Sequence, residues 1–319
     1  MIFADRFAVD LAALIGPGER VGIAVSGGPD SLALLLLAAH SRPGLIEAAT
    51  VDHRLRPESA TEAEQVATIC GALGVPHQTL RARWDPPPTA NLQARARDER
   101  YALLSIWAEK HELAAVATAH HADDQAETLL MRLSRGSGIG GLSGARRSRA
   151  LTGNARLVRP LLTWRKAELS DIIDTSGLAA IDDPANFDDR HDRARVRRFL
   201  DGQDWLDPAR LAASAAHLRE ANDALDWVTA QLVRERMVAR GDALEIDSSG
   251  LPQELKRRLL LVLFDRLGGP IPRGPDLAAA LERLSTGATI TLGGVKVMSG
   301  PLWRASVAPP RRHQREQPS

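Results

Sequence analysis

The sequence predicts an α/β fold, a parallel sheet with helices on both faces, followed by a smaller α+β C-terminal domain. Three observations predict it: strand and helix signals alternate through the first half, a Gly-Gly turn joins the first strand to its helix, and three strands end in polar residues. Strand candidates span 21–25, 46–51, 76–80 and 115–119, with helical stretches at 32–40, 61–73 and 92–110. Such a rhythm implies crossover helices that cover both faces of a parallel sheet. Ligands in these sheets sit beyond the C-terminal ends of the strands. Ser26, Asp52 and His120 each lie at or just after such an end, so one rim collects them.

The first strand runs into Ser26-Gly27-Gly28-Pro29-Asp30-Ser31 and then into a helix. A strand, a tight turn and a helix N-terminus make an anion site, because backbone N–H groups and the positive end of the helix dipole face the loop. Two glycines let the backbone approach a phosphate, and Ser26 and Ser31 add hydroxyl donors. Asp30 is the odd member: a carboxylate beside phosphates is repulsive unless a cation lies between them, which points to Mg²⁺-nucleotide chemistry. A Gly-rich turn with a Ser or Asp helix cap would account for the string by itself. Neither a Walker loop nor a dinucleotide fingerprint fits the spacing.

The second strand ends at Asp52, within Val51-Asp52-His53-Arg54-Leu55-Arg56, where Asp52 either caps the next helix or reaches the same cation. The third leads to Pro86-Pro87-Pro88, a stiff loop before Asn91. The fourth enters Thr118-Ala119-His120-His121-Ala122-Asp123-Asp124-Gln125-Ala126-Glu127-Thr128. At helical spacing His120, Asp123, Asp124 and Glu127 share one face, and Ala126, Leu129, Leu130 and Leu133 share another. That leaves three carboxylates and a histidine at the rim, able to bind a divalent metal or an amine, unless they are merely an acidic helix start.

Beyond this lie a Gly/Ser-rich loop at 136–144, a helix at 164–176 and an acidic, arginine-rich segment at 182–198. A long amphipathic helix comes next at 208–240, then helices at 255–267 and 276–284 and short strands at 289–292 and 295–298. The tail over 309–319 is polar and expected to be disordered. The leucine-rich helices of the C-terminal third would support a homodimer.

At 319 residues the chain is long enough for one sizeable and one small domain. No apolar run is long enough for a membrane span, and the N-terminus lacks a signal-peptide layout, so a cytoplasmic location is expected. The single cysteine, Cys70, excludes a disulfide framework and any paired-cysteine metal or redox centre, and reads as a packing residue. Net charge is only +1, yet arginines cluster at Arg146-Arg147-Ser148-Arg149, from Arg190 to Arg198, at Arg257-Arg258 and at Arg311-Arg312. Their planar forks suit phosphate and base contacts, and each cluster is equally compatible with a solvated face.

The 26–31 string resembles the PP-loop of ATP pyrophosphatases, which cleave ATP to AMP and pyrophosphate. With Asp52-His53-x-Leu55-Arg56, Ala96-Arg97-x-x-Arg100-Tyr101, the His120–Thr128 string, Arg135-Gly136-Ser137-Gly138-Ile139-x-Gly141-Leu142 and Arg159-Pro160-Leu161-Leu162, it occurs in the order seen in bacterial tRNA(Ile)-lysidine synthetases. The resemblance covers residues 21–198 well and the last third more loosely. Two departures stand out: Ala185 replaces the usual serine in Asp182-Asp183-Pro184-Ala185-Asn186, and the chain is shorter than members with a further C-terminal domain.

The resemblance implies a PP-loop ATP-binding catalytic domain over 1–205, a helical linker over 206–240 and a small tRNA-binding domain over 241–308. It implies ligation of L-lysine to C2 of the wobble cytidine of CAU-anticodon tRNA(Ile), with ATP and Mg²⁺ as cofactors. Ser26, Gly27, Gly28, Pro29, Asp30 and Ser31 would hold ATP, with Asp52 beside them and Asp30 and Asp52 on the metal. His120, Asp124 and Glu127, with Arg97 and Arg100, would form the lysine site, and Asp30, Asp52, His120, Asp124 and Glu127 the catalytic set. Gly136, Ser137, Gly138, Arg190, Arg193, Arg195 and Arg197 would meet the tRNA. The alternatives are another PP-loop tRNA-modifying or amidating enzyme, or a catalytically silent RNA-binding protein. Thiolation by paired cysteines is excluded by Cys70 standing alone.

Overall fold

The structure is a computed structural model and describes residues 2–84, 92–181 and 192–309. The triple proline at 86–88, the 182–186 stretch, Arg190 and the tail with Arg311-Arg312 lie outside the described residues. By contacts the chain divides into two units, Met1–Arg219 and Glu220–Ser319.

The first unit is built on a six-stranded sheet of order β3-β2-β1-β4-β6-β5. β1 (Val21–Ala24), β2 (Ile46–Asp52), β3 (His77–Arg81), β4 (Ala115–Ala117) and β6 (Arg156–Val158) run parallel, and β5 (Ser148–Ala150) closes the edge antiparallel to β6. The order reverses between β1 and β4, and a doubly wound sheet opens its ligand crevice at that switch point. The 26–31 loop comes directly after β1, and His120 after β4.

Strand alternation sorts the core. Val21 and Ile23 face a cluster with α1 (Ile2–Ala12), α2 (Pro29–Ser41), α3 (Ser59–Ala72) and α7 (Lys166–Ser176), through Phe7, Leu11, Leu35, Val66, Cys70 and Ile173. The other face packs Leu104, Trp107 and Ala108 of α4 (Leu92–Lys110) on Ala49, Val116 and Leu157. Gly22 lies between them, and a Cβ there would meet the Trp107 ring and, at 2.8 Å, Leu113 Cδ1. Gly22→Ala is therefore expected to destabilise the fold by about 1–3 kcal/mol through overpacking; a thermal midpoint equal to wild type would show that Trp107 can move aside.

α5 (Ala122–Leu133), α6 (Ile139–Leu142) and α8 (Asp192–Asp201) complete this unit, and the division between units falls inside α9 (Pro208–Arg236). The helix expected to reach residue 240 ends four residues earlier. Met237–Arg240 forms β7, which turns at Gly241 (φ +58°) and pairs with β8 (Ala243–Ile246). The second unit is a five-stranded antiparallel sheet of order β7-β8-β11-β10-β9, using β9 (Ile290–Leu292), β10 (Val295–Met298) and β11 (Trp303–Val307). α10 (Gln253–Arg266) and α11 (Gly274–Ser285) bury Leu259, Leu263, Phe264, Leu277 and Leu281 against Ile290, Val297 and Trp303. Arg258 is buried there, donating to Asn222 Oδ1 at 2.8 Å and to Glu254 at 2.8 Å. Among the described residues no helix is long and apolar enough to cross a membrane.

Candidate active site

A cavity of about 860 Å³ opens at the switch point. Its wall includes Ser26, Gly28, Pro29, Asp30 and Ser31 from the loop, and Thr118, His120 and Asp124 after β4. Arg97 and Arg100 of α4 and Arg193 and Arg197 of α8 also line it.

The loop's shape is set by Gly27 and Ser31. Gly27 has φ +89°, its carbonyl accepts from Ile181 N at 3.0 Å, and a Cβ there would meet the Ile181 side chain and, at 3.2 Å, Val66 Cγ2. Only glycine satisfies both the left-handed backbone and the close approach. The Ser31 hydroxyl donates to Gly28 O at 2.9 Å and accepts from Ser26 N at 3.1 Å, so it braces the loop. Gly28 caps α2 without a side-chain bond, and Pro29 occupies the first turn, where its missing N–H costs nothing. The α2 N-terminus therefore lies at the cavity without a side-chain cap on its first N–H groups, which leaves them for an anion.

His121 ties this loop to α5. It is 2% exposed and caps α5, with its backbone N–H donating to Asp124 Oδ2 at 3.1 Å. Its Nε2 lies 3.4 Å from Asp30 Oδ2 and 3.6 Å from Asp124 Oδ2. Burial alone would lower the His121 pKa, but the bond to Asp30 and the charges of Asp124, Asp30 and Asp123 outweigh it and raise it. A raised histidine contributes stability that is complete below its unfolded value, about 6.5, and is lost as pH rises through the folded value. The thermal midpoint of the free protein should therefore fall between pH 6 and pH 9 by more than that of His121→Gln; parallel curves would remove the clasp from the pH response.

His120, beside it, behaves oppositely. Burial lowers its pKa, Arg159, Arg100 and Arg97 lower it further, and the opposing Asp124 charge does not compensate. Its Nδ1 lies 3.0 Å from Thr118 Oγ1, so it is a neutral, oriented imidazole on the cavity wall.

The three carboxylates of α5 separate. Asp123 accepts from Lys166 N at 2.8 Å and pairs with Arg165 at 3.3 Å, anchoring α7. Asp124 stays on the wall, and its pKa is lowered: burial would raise it, but His121, Arg193 and His120 prevail. Glu127 is buried, its Oε2 held by Arg193 Nε at 2.7 Å and its Oε1 by Arg197 Nε at 2.8 Å. The apolar face holds at Ala126 and Leu129, but Leu133 is 49% exposed.

The structure thus brings together on one wall Ser26, Gly28, Pro29, Asp30, Ser31, Arg97, Arg100, His120, Asp124, Arg193 and Arg197. Asp52 stays off that wall: it is 5% exposed, and its Oδ1 accepts from Arg54 N at 2.9 Å and from the Ser59 hydroxyl at 2.7 Å, which fixes the turn after β2 while α3 starts at Ser59 without a side-chain cap. Gly136 and Gly138 are exposed in the α5–α6 loop, and Gly136, Ser137, Gly138 and Arg195 also lie outside the lining. His121 escaped the sequence reading as a site residue. Its signal is its position three residues before Asp124, the N-cap spacing.

A divalent cation fits Asp30, whose Oδ1 is buried with no hydrogen-bond partner. It does not fit a ready-made protein cage, since no cluster of three His, Cys, Asp or Glu ligands occurs among the described residues. One carboxylate completed by substrate phosphates and water is the arrangement Mg²⁺ favours.

Comparison with known proteins agrees with this geometry. A family model for the PP-loop domain matches residues 4–203. The chain is 47% identical to the tRNA(Ile)-lysidine synthase of Novosphingobium aromaticivorans over 98% of this chain and 96% of that protein. It is 41% identical to that of Zymomonas mobilis over 92% of this chain and 90% of that protein. Among solved structures, the U34-tRNA thiolase of Methanococcus maripaludis, 16% identical, superposes with a TM-score of 0.57 over 69% of this chain and 78% of that one, a likeness of fold. With its PP-loop domain and these relatives along nearly its whole length, the chain belongs to the tRNA(Ile)-lysidine synthase family.

Proposed function

We propose that this protein uses ATP to join L-lysine to C2 of the wobble cytidine of CAU-anticodon tRNA(Ile), forming lysidine and changing the codon read from AUG to AUA. The observation that carries the reading is a single cavity lined by an anion-binding loop, a neutral imidazole and the Asp124 carboxylate. Family membership supplies the substrates. The unit that holds the cavity is the catalytic domain, and the unit from Glu220 onward contributes to tRNA binding. We place the protein in the cytoplasm, with a homodimer as its assembly.

The chemistry runs in two steps. The cytidine C2 oxygen attacks the α-phosphorus of ATP, the bond to the β-phosphate oxygen breaks and pyrophosphate leaves. The lysine ε-amine then attacks C2 of the adenylated cytidine, and the C2–O bond breaks to release AMP. Ser26, Gly27, Gly28, Pro29 and Ser31 bind the phosphates through backbone N–H groups and hydroxyls. Asp30 would hold Mg²⁺, which supplies charge neutralisation at the leaving pyrophosphate when bound. Asp52 supports this rim by fixing the turn after β2.

Asp124 and Glu127 favour an amino acid with two ammonium groups over one with a neutral side chain. The amine must lose a proton before it attacks, and Asp124 or His120 accepts it. Phosphates near Arg97 and Arg100 would offset the part of the His120 shift that those charges cause, while burial, its largest cause, keeps the imidazole a weak base. Arg193, Arg195, Arg197 and Arg190, with the Gly136–Ser137–Gly138 loop, meet the anticodon arm, so binding weakens steeply with salt.

The test is nucleoside mass analysis of CAU-anticodon tRNA(Ile) incubated with protein, ATP, Mg²⁺ and lysine. Lysidine formed only when all four are present is the expected result. AMP without lysidine would redirect the chemistry to another acceptor, and absence of both would leave a silent RNA-binding protein.

A further inference from the structure

The only tyrosine of the chain, Tyr101, is surrounded by arginines with no counter-ion among the described residues. The guanidinium carbons of Arg97, Arg100 and Arg149 lie 5.3, 5.2 and 4.6 Å from its ring centre. Arg97, Arg100 and Tyr101 come from α4 and Arg149 from β5, while Arg159, directly after β6, is 3% exposed. Arg159 is held in place by donating to Arg146 O at 2.7 Å, and its own backbone N–H donates to Arg147 O at 2.8 Å. None of the four pairs with a described carboxylate. The Nε atoms of Arg100 and Arg159 are buried with no hydrogen-bond partner, and the buried Tyr101 hydroxyl has only the Arg159 guanidinium beside it, a donor that leaves the phenol proton free to be donated.

Four like charges around one ring repel one another, and two unpartnered guanidinium nitrogens add a desolvation cost. A bound anion relieves both. The charges also act on the phenol: burial would raise the Tyr101 pKa, but Arg100, Arg97 and Arg159 lower it overall. Arg97 and Arg100 line the catalytic cavity, whereas Tyr101 and Arg149 do not, and Arg97 and Arg149 are exposed. The cage therefore begins at the cavity wall and runs outward to solvent. A nucleotide bound wholly inside the cavity would leave its outer half unused; a polymer with one base inserted would lay its backbone across it.

We propose that Arg97, Arg100, Arg149 and Arg159, arranged around Tyr101, form a phosphodiester subsite for the RNA strand next to the base being modified. The inference rests on the reading of the substrate as tRNA and assigns Tyr101, Arg149 and Arg159 to its recognition. The anion replaces the missing counter-ion of the cage, and the Tyr101 hydroxyl donates to it.

Because the chain has one tyrosine, ¹³Cζ-tyrosine labelling gives a single NMR resonance that reports on this site alone. In the full chain, saturating CAU-anticodon tRNA(Ile) should move that resonance and raise the pH at which the phenol ionises; ATP with Mg²⁺ should not. Arg149→Ala, an exposed change that keeps the thermal midpoint, should weaken tRNA binding about five- to tenfold and reduce the slope of log affinity against log salt by about one. An equal Tyr101 response to ATP alone would assign the cage to the nucleotide and overturn the proposal. So would an unmoved resonance and an unchanged salt slope in a complex shown to form by gel shift. Failure of wild-type protein to bind tRNA at all would overturn the proposed function and this subsite with it.

Discussion

Asp30→Ala is expected to abolish AMP and pyrophosphate formation, a loss of at least about a thousandfold in kcat, on the scale of removing a principal transition-state charge partner. tRNA affinity should stay near wild type, because Asp30 lies at the α2 N-terminus among phosphate-binding groups and its carboxylate would repel an RNA backbone. The variant also deprives His121 Nε2 of an acceptor 3.4 Å away, inside a site where that ring is 2% exposed. An unmet buried donor costs about 1–3 kcal/mol, so part of any loss could be structural. Asp30→Asn separates the two effects: its carbonyl oxygen keeps the acceptor for His121 and its charge is gone. ATP–pyrophosphate exchange read beside a thermal melt should show Asp30→Asn folded and inactive. Exchange retained in either variant would refute the metal role of Asp30.

The β1–loop–α2 unit was legible because its information is local. An apolar run, two glycines and Pro29 at the helix start specify a turn and a cap within ten residues. The rim residues were legible for the same reason, since a parallel strand delivers the residues after its C-terminal end to one edge. β5 and β6 were not: three residues each, Ser-Arg-Ala and Arg-Leu-Val carry no period that distinguishes them from loop. β7 was hidden because Met237–Arg240 continues the helical composition of α9, and only its register with β8 makes it a strand. α1 was passed over too, although Phe7 and Leu11 bury its inner face.

At the site, the helical wheel puts three carboxylates on one face of α5 but cannot see what neutralises them, and only Asp124 of the three lines the cavity. Asp123 finds Arg165, 42 residues on, and Glu127 finds Arg193 and Arg197, 66 and 70 residues on. Asp52 shows the converse. Sequence allows it a helix cap or a metal ligand, and its Oδ1 takes the Arg54 N–H and the Ser59 hydroxyl in the turn after β2, while α3 begins with no side-chain cap. Partner identity across such distances is a property of packing, which no local spacing encodes.

Glu127 carries the second large effect, because it has both a structural and a chemical claim on it. Its side chain is 3% exposed, and each oxygen is bonded to a different arginine of α8. Removing one member of a buried pair costs about 3–5 kcal/mol. Arg193 is 45% exposed and can turn to water, whereas Arg197 at 28% is less free, which favours the lower end, about 3 kcal/mol. Glu127→Ala should therefore lower the thermal midpoint of its unit by about 6–12 °C. The Asp124–Arg193 contact at 3.4 Å adds an acid-sensitive part. A carboxylate with a lowered pKa contributes stability that is present above its unfolded value and lost as pH falls through the folded one.

If Glu127 also binds the lysine ammonium, Glu127→Gln should raise the lysine KM more than about tenfold and leave the ATP KM near wild type. Arg197→Ala keeps the carboxylate while breaking one of its two bonds, so it should lose comparable stability without that rise. The comparison turns on charge. With Arg197 gone, Glu127 carries less compensating positive charge and attracts an ammonium more strongly, so its lysine KM should hold or fall. A lysine KM that climbs equally in both variants would make Glu127 a post for α8 and leave Asp124 as the carboxylate that faces the substrate.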